Sequence, residues 1–349
     1  MGVVPSYKLA RKREQVEADF PVREFADNGV EQRRIVRPLS QLCVAAVICV
    51  LLAMLGNRAG AQTATSNDES PGDLARARAF LQQGQYAEAD KELRAYLAGH
   101  PTDVDGQYLL AFVLFRENKP ADSLNAYTEA ARHRRPSAAD LKTVALDYVL
   151  LNDYADAEHW IHYTLSMDAD DPEAWYEAGR IEYTLNHFRP ALESFQRSLQ
   201  LNPASVKAEN NLGLTLEGLN RVDEAVAAYR KALAMQATSP HPSEQPMLNL
   251  ATVLIDRNQL DEAQSLLQQA TQIAPNDWKI LAQLGRLYTE KGELDAARHA
   301  LERAVAIEPE KASLHFQLGQ VYKKDGETEK AQAEFVTTQK LLGTNSSPK

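Results

Sequence analysis

The sequence predicts an all-α protein, a right-handed α-solenoid built from eight helix-turn-helix repeats of 34 residues each. Two observations predict this fold: a 34-residue period between residues 70 and 345, and two positions in that period that hold only small residues. The 349-residue chain is 44% hydrophobic and 25% charged, the composition of an ordinary globular protein. Because one helix pair cannot bury both of its faces, consecutive pairs are expected to stack.

The period divides the chain into eight repeats with a single interruption. The repeats cover residues 70–103, 104–137, 138–171, 172–205, 206–239, 244–277, 278–311 and 312–345, with an insertion at 240–243 and a tail at 346–349. In the seventh repeat one apolar stripe runs from Leu281 to Tyr288 and a second from Leu294 to Ala304, with Gly292 between them. Apolar residues spaced i, i+3 and i+4 indicate amphipathic helices, so each repeat is predicted to be a helix pair.

Three positions in the repeat show how the two helices meet. Position eight is occupied by Ala77, Ala111, Ala145, Gly179, Gly213, Ala251, Gly285 and Gly319. Position twenty is occupied by Ala89, Ser123, Ala157, Ala191, Ala225, Ala263, Ala297 and Ala331. Position twenty-four holds the large residues Leu93, Tyr127, Ile161, Phe195, Tyr229, Leu267, Leu301 and Phe335. Small residues facing large ones at constant offsets indicate two helices in close contact, with the remaining space filled by bulky side chains.

With these motifs the chain resembles the tetratricopeptide repeat family over residues 70–345. The family pattern of Trp, Leu-Gly, Tyr, Ala, Phe, Ala and Pro is matched in the fourth repeat by Trp175, Gly179, Ala191, Phe195 and Pro203. The seventh repeat matches it with Leu284, Gly285, Tyr288, Ala297, Ala304 and Pro309. The family includes many unrelated functions, so the resemblance predicts the fold more closely than the activity.

The resemblance implies that positions two, five, nine, twelve and thirteen of each first helix line a concave groove in which a partner segment lies. In the second to fourth repeats these positions predict a groove lined by Tyr108, Phe112, Phe115, Leu146, Val149, Tyr176, Arg180 and Tyr183. The alternative is that these side chains pack against the neighbouring repeat as core. Leu146 stands where members that clamp a partner's terminal carboxylate have an asparagine after Lys142, so such a partner is not expected.

Residues 38–61 are predicted to direct export. An uncharged run at residues 42–55 is shorter than the roughly 20 residues that span a bilayer. With its basic flank and the Ala59-Gly60-Ala61 sequence it indicates a signal peptide at residues 38–61, cleaved before Gln62. The alternative is an uncleaved membrane anchor over the same residues. Residues 1–37 are a charged extension, or lie upstream of the true translation start, and residues 62–69 are a linker.

Composition and motifs exclude several classes of function. Both cysteines, Cys43 and Cys49, lie in the apolar run, so the mature chain is expected to have no disulfide, thiolate metal site or cysteine nucleophile. From residue 62 onward the chain contains 29 Lys and Arg and 42 Asp and Glu, which gives a formal charge of −13. This negative charge argues against nucleic acid as a partner. No HExxH, GxSxG, phosphate-loop or EF-hand motif occurs. His159 and His162 are interpreted as solvent-facing, so neither a metal nor a cofactor is expected.

These observations predict an extracytoplasmic, non-enzymatic scaffold that binds a protein or peptide in its groove. A non-catalytic subunit of an envelope assembly or modification complex is the alternative, and self-association is a further possibility. Contact with a membrane is expected only through the N-terminal segment, if it is not cleaved. One residue fits no part of this scheme: Glu182 is a carboxylate at a position where the other repeats have Phe, Leu or Tyr.

Overall fold

A computed structural model of the protein describes residues 72–345. This part of the chain contains sixteen α-helices and no β-strand, arranged as eight consecutive pairs, which confirms the predicted all-α repeat fold. The predicted extension, signal or anchor and linker, together with the tail, lie outside the described residues. The chain divides into two compact units, with the boundary between Leu201 and Asn202.

In unit 1 the described residues form four helix pairs. They are α1 (Gly72–Gln82) with α2 (Tyr86–Gly99), α3 (Val104–Arg116) with α4 (Pro120–Ala131), α5 (Ala138–Leu150) with α6 (Tyr154–Met167), and α7 (Pro172–Thr184) with α8 (Phe188–Leu201). Each helix packs on its own partner, and each pair also packs on the next pair within the unit. Trp160, Tyr148 and Phe195 are among the largest fully buried side chains.

Unit 2 repeats the arrangement with four further pairs. They are α9 (Val206–Gly218) with α10 (Val222–Gln236), α11 (Gln245–Asp256) with α12 (Leu260–Ile273), α13 (Trp278–Lys291) with α14 (Leu294–Ile307), and α15 (Ala312–Lys324) with α16 (Thr328–Asn345). At the insertion between α10 and α11, the Gln236 side chain donates to the carbonyl of Ser243 at 2.7 Å and accepts from its N–H at 2.9 Å. These two bonds hold the longer loop in one conformation.

The turn inside every helix pair contains one residue with a left-handed backbone. These residues have φ between 57° and 83°, and they are Gly84, Asn118, Asn152, Asn186, Asn220, Asn258, Gly292 and Gly326. Glycine has no Cβ to clash in this region, and asparagine tolerates it better than most other residues. A further column of the repeat, besides the small and large residues, is therefore set by backbone geometry.

The small residues at position eight allow the two helices of a pair to approach closely. A Cβ placed on Gly213 would lie 2.4 Å from Cε1 of Tyr229, and one on Gly285 would lie 2.4 Å from Cγ of Leu301. Both distances are far below van der Waals contact, so any larger residue would displace the partner side chain. The contact of small with large residues is the one that the repeat pattern predicts.

Acidic residues in the turns between repeats cap the helices that come next. At the start of α7, Asp171 accepts hydrogen bonds from the backbone N–H groups of Glu173 and Ala174 at 2.9 and 3.2 Å. Lys142 of the preceding repeat donates to the same carboxylate at 2.5 Å. Burial opposes ionisation of Asp171, but the hydrogen bonds from Lys142 and the backbone outweigh it and lower its pKa. The carboxylate is thus a helix cap and a link between repeats.

Candidate partner-binding surface

The eight residues predicted to line a groove all lie in unit 1, on α3, α5 and α7. Six are partly exposed and two are buried. The partly exposed residues are Phe112, Phe115, Leu146, Val149, Tyr176 and Arg180, and the buried residues are Tyr108 and Tyr183. Residues three or four apart share one face of a helix, so the partly exposed members follow a single face of each of the three helices.

Tyr108 belongs to the core. It is 6% exposed, and its hydroxyl donates a hydrogen bond to the backbone carbonyl of Arg134 at 2.5 Å. Its ring centroid lies 6.0 Å from that of Tyr127. Burial raises the pKa of Tyr108, with a smaller contribution from the charge of Asp140. The side chain therefore holds the segment after α4 against α3, and a partner could not reach it without local unfolding.

Tyr183 is also packed inside the repeat. It is 7% exposed, and its ring makes an edge contact with Phe188, the two centroids lying 5.4 Å apart. This contact joins the end of α7 to the start of α8. For Tyr108 and Tyr183, the structure favours the alternative in which a side chain at these positions packs as core.

The partly exposed rings of Phe112 and Phe115 on α3, the exposed Arg116 and Tyr86 of α2 form a cluster that we call the repeat-2 patch. The Phe112 and Phe115 centroids are 6.2 Å apart. The Arg116 guanidinium lies 4.7 Å from the Tyr86 ring centroid and 5.9 Å from that of Phe112, and it donates a hydrogen bond to the Tyr86 hydroxyl. Cation–π contacts of this kind hold the rings in place at the surface.

Two members of this patch, Arg116 and Tyr86, are not among the residues predicted from the sequence. Arg116 stands at position thirteen, one of the groove positions, and that spacing could have identified it. Tyr86 is the first residue of a second helix, where no groove residue is expected, so only the packing of α2 against α3 places it beside Arg116.

Aliphatic side chains continue the surface on α5, which packs against α3. Leu146 and Val149 are three residues apart and both are partly exposed. Val149 also packs against the buried core cluster that contains Tyr148 and Trp160. The exposed part of α5 is therefore an apolar strip supported from below by the core.

A third group of side chains lies on α7 and combines an aromatic ring with a charge. The Arg180 guanidinium lies 5.8 Å from the Tyr176 ring centroid, and its Nη1 donates to Oε2 of Glu177 at 2.8 Å. The Tyr176 ring in turn lies 5.9 Å from the buried ring of Phe195. These contacts with Tyr176 and Glu177 orient the Arg180 side chain. Because the side chain remains 33% exposed, it is also accessible to an anionic or carbonyl group of a ligand.

Asp147 is a carboxyl group inside the core of the same unit. It is fully buried, its Oδ2 lies 2.6 Å from Ser123 Oγ, and Ser123 Oγ in turn donates to the carbonyl of Ala111 at 2.9 Å. Burial raises the pKa of Asp147 to about 8, although the hydrogen bond with Ser123 lowers it. One serine hydrogen cannot serve two acceptors, so a protonated Asp147 donates from Oδ2 to Ser123 Oγ and leaves the serine hydrogen for the carbonyl of Ala111.

In the part of the chain that the structure describes, none of the helices is long and apolar enough to cross a membrane. The stacked helix pairs and the row of partly exposed apolar side chains define a helical-repeat protein of the α-solenoid class. The chain belongs to the tetratricopeptide repeat family. Models described as "Tetratricopeptide repeat" match residues 74–139, 176–240, 217–284 and 254–304, and one described as "TPR repeat" matches residues 285–326.

Curated relatives match parts of the repeat region. A TPR repeat-containing protein of Methanocaldococcus jannaschii is 30% identical over 80 residues, which are 23% of this chain and 14% of that protein. The peroxisomal targeting signal receptor of Kluyveromyces lactis is 28% identical over 132 residues, which are 38% of this chain and 22% of that protein. The matches thus span less than a quarter of the length of these two relatives.

Solved structures show the same fold. PilW, described as a widely conserved type IV pilus biogenesis factor, is 25% identical, covers 60% of this chain and 94% of its own, and superposes with a TM-score of 0.54. A tetratricopeptide repeat protein from Parabacteroides merdae is 16% identical, covers 72% of this chain and 97% of its own, and has a TM-score of 0.58.

Proposed function

We propose that the protein is a non-catalytic scaffold outside the cytoplasm that binds an extended or helical segment of a partner protein along the first-helix face of unit 1. The observation that carries the proposal is the row of partly exposed side chains on α3, α5 and α7, which begins with the repeat-2 patch and ends at Arg180. Proteins of this family bind protein or peptide partners, which supports the same conclusion.

The chemistry of the row suggests what the partner offers. Aromatic and aliphatic groups from three consecutive repeats provide apolar area that a bound segment would remove from water. Arg116 and Arg180, each stacked on a tyrosine ring, supply hydrogen-bond donors with little freedom to lose on binding. The expected partner segment therefore has apolar residues at helical or alternating spacing, together with a carboxylate or exposed carbonyl.

The proposed location outside the cytoplasm rests on the sequence of residues 38–61. This segment is either a signal peptide that is cleaved before Gln62 or a membrane anchor that is retained. The likeness to PilW, a pilus biogenesis factor, supports a place in the cell envelope. It also favours the second candidate, in which the protein is an accessory subunit of an envelope assembly or modification complex. N-terminal sequencing of the mature protein tests the cleavage: a first residue other than Gln62 would contradict it.

Site-specific photocrosslinking in cells tests the binding face. A photoreactive phenylalanine analogue is placed at Phe112, Leu146 or Tyr176, and a matched control is placed at Gln196, which is exposed on the second helix α8. We expect the three first-helix positions to yield adducts with the same partner and the control to yield none. Equal adducts at Gln196, or different proteins at each position, would refute the assignment.

Identification of the crosslinked partner separates the candidates. One predominant protein supports a dedicated scaffold, and several subunits of one complex support the accessory role. Adducts twice the mass of the chain indicate self-association through this face, which light scattering of the purified protein would reveal independently.

A further inference from the structure

Three metal-ligating side chains from two neighbouring repeats meet at one point in unit 1. Glu158 and His162 are four residues apart on α6 and so lie one above the other on the same helix face. Glu182 comes from α7. One ligand atom from each of the three lies within 4.8 Å of the others, close to the spacing that a shared ion requires.

Glu182 is the member whose burial calls for an explanation. It is 1% exposed, at a position where the other repeats have Phe, Leu or Tyr. Its Oε1 lies 2.9 Å from His162 Nε2, but its Oε2 is buried and has no hydrogen-bond partner within the described part of the chain. A buried carboxylate oxygen without a partner is costly, and a bound cation would remove that cost.

A second histidine orients the cluster from outside. His187 lies just after α7, and its Nδ1 is 2.9 Å from Oε1 of Glu158. Hydrogen bonds from a second residue to a ligating carboxylate are typical of metal sites, where they fix the direction of the ligand. The cluster contains two carboxylates, Glu158 and Glu182, whose negative charge favours a cation.

We propose that Glu158, His162 and Glu182 bind one divalent transition-metal ion of the zinc type. One imidazole nitrogen and two carboxylates form a mixed nitrogen and oxygen ligand set that suits Zn²⁺ or Co²⁺ better than the all-oxygen sets of Ca²⁺ and Mg²⁺. Three protein ligands leave a fourth position for water or for a group from a partner. The ion would link α6 to α7 and so fasten the third repeat to the fourth.

Co²⁺ titration of the full-length protein, purified without a polyhistidine tag, tests this proposal. Cobalt reports its own coordination through visible absorption bands, and Zn²⁺ added afterwards should abolish them by competition. We expect saturation at one ion per chain. The test variants are His162→Gln and Glu182→Gln, and His159→Gln is the matched control, because His159 is exposed on the same helix but lies outside the cluster.

The expected result is at least tenfold weaker binding in both test variants and unchanged binding in the control. His187→Ala, which removes only the orienting hydrogen bond, should weaken binding roughly tenfold. Circular dichroism checks that each variant is folded. If a test variant does not fold, the melting temperatures of the wild type and of His159→Gln are measured with and without Zn²⁺ instead. Zn²⁺ should raise both melting temperatures equally. Wild-type protein without saturable binding, or equal binding by a folded His162→Gln variant, would overturn the proposal.

Discussion

Replacing Asp147 by asparagine should make the stability of the protein less dependent on pH. Asp147 is fully buried, and burial raises its pKa from the ordinary value of 3.8 to about 8. Between these two values the folded protein keeps a proton that the unfolded chain releases. The stabilisation from this proton is complete below pH 3.8 and is lost as the pH rises through about 8.

The size of the effect depends on the width of that window. One proton held only in the folded state changes the free energy of unfolding by about 1.4 kcal/mol per pH unit. Over a window of about four units the loss is on the order of 5 kcal/mol, an upper limit that structural relaxation around the charged carboxylate would reduce. Asparagine carries no charge, and its amide can donate to Ser123 Oγ as the protonated carboxyl does.

The assay is urea unfolding of wild type and Asp147→Asn, monitored by circular dichroism at several pH values from 5 to 8. At pH 5 both folded proteins are neutral at this position, whereas the unfolded wild-type chain has already released the proton. From pH 5 to pH 8 the variant should therefore gain stability relative to wild type by up to about 1.4 kcal/mol for each pH unit. A matched control is Asp122→Asn, whose carboxyl is exposed on α4.

A difference in unfolding free energy between wild type and Asp147→Asn that stays constant from pH 5 to pH 8 would refute the reasoning. Such a constant difference would mean that Asp147 is ionised in the folded protein, because the unfolded chain is ionised over the same pH range. Other titrating groups are common to both proteins and cancel when the two are subtracted.

Substitutions at three further positions test the repeat geometry, each by chemical denaturation. Asn220→Gly should raise the unfolding free energy slightly and Asn220→Val should lower it by about 1–2 kcal/mol, because the backbone there is left-handed. Gly213→Ala should lower the unfolding free energy by roughly 1–3 kcal/mol, because the new Cβ would overlap the buried Tyr229 ring. The higher helix propensity of alanine offsets part of this loss. Combining Gly213→Ala with Tyr229→Leu should restore a further part. Tyr108→Phe should cost about 1 kcal/mol through the lost hydrogen bond to Arg134, and partner crosslinking should be unchanged.

Much of the fold is set by spacings within one repeat. The contact of Gly213 with Tyr229 involves positions eight and twenty-four of the same helix pair, and that offset recurs in all eight repeats. Local relations of this kind depend on helical periodicity and on residue size, and both can be read from a single chain. The left-handed Asn turns recur as regularly, but five asparagines among polar turn residues are less conspicuous than a column of small residues.

The candidate surface was only partly predictable. Phe112, Leu146 and Tyr176 remain partly exposed, whereas Tyr108 and Tyr183 occupy groove positions and are buried. Whether a side chain at a groove position is exposed or buried depends on the rotation of its helix and on which neighbouring segment packs over it. Arg134, which covers Tyr108, comes from the segment after the next helix. No pattern within the first helix contains that information.

The sequence by itself determined the repeat, its helix pairs and the close contact inside each pair, because these depend on residue size and helical period over short distances. The tertiary structure alone decided which polar groups meet across repeats. Glu182 is a carboxylate at a repeat position where the other repeats have Phe, Leu or Tyr, and nothing at that position explains it. In the structure it lies beside His162 of the preceding repeat and near Glu158. The physical reason is that a contact between repeats depends on the angle at which one helix pair stacks on the next. That angle results from the sum of many packing contacts.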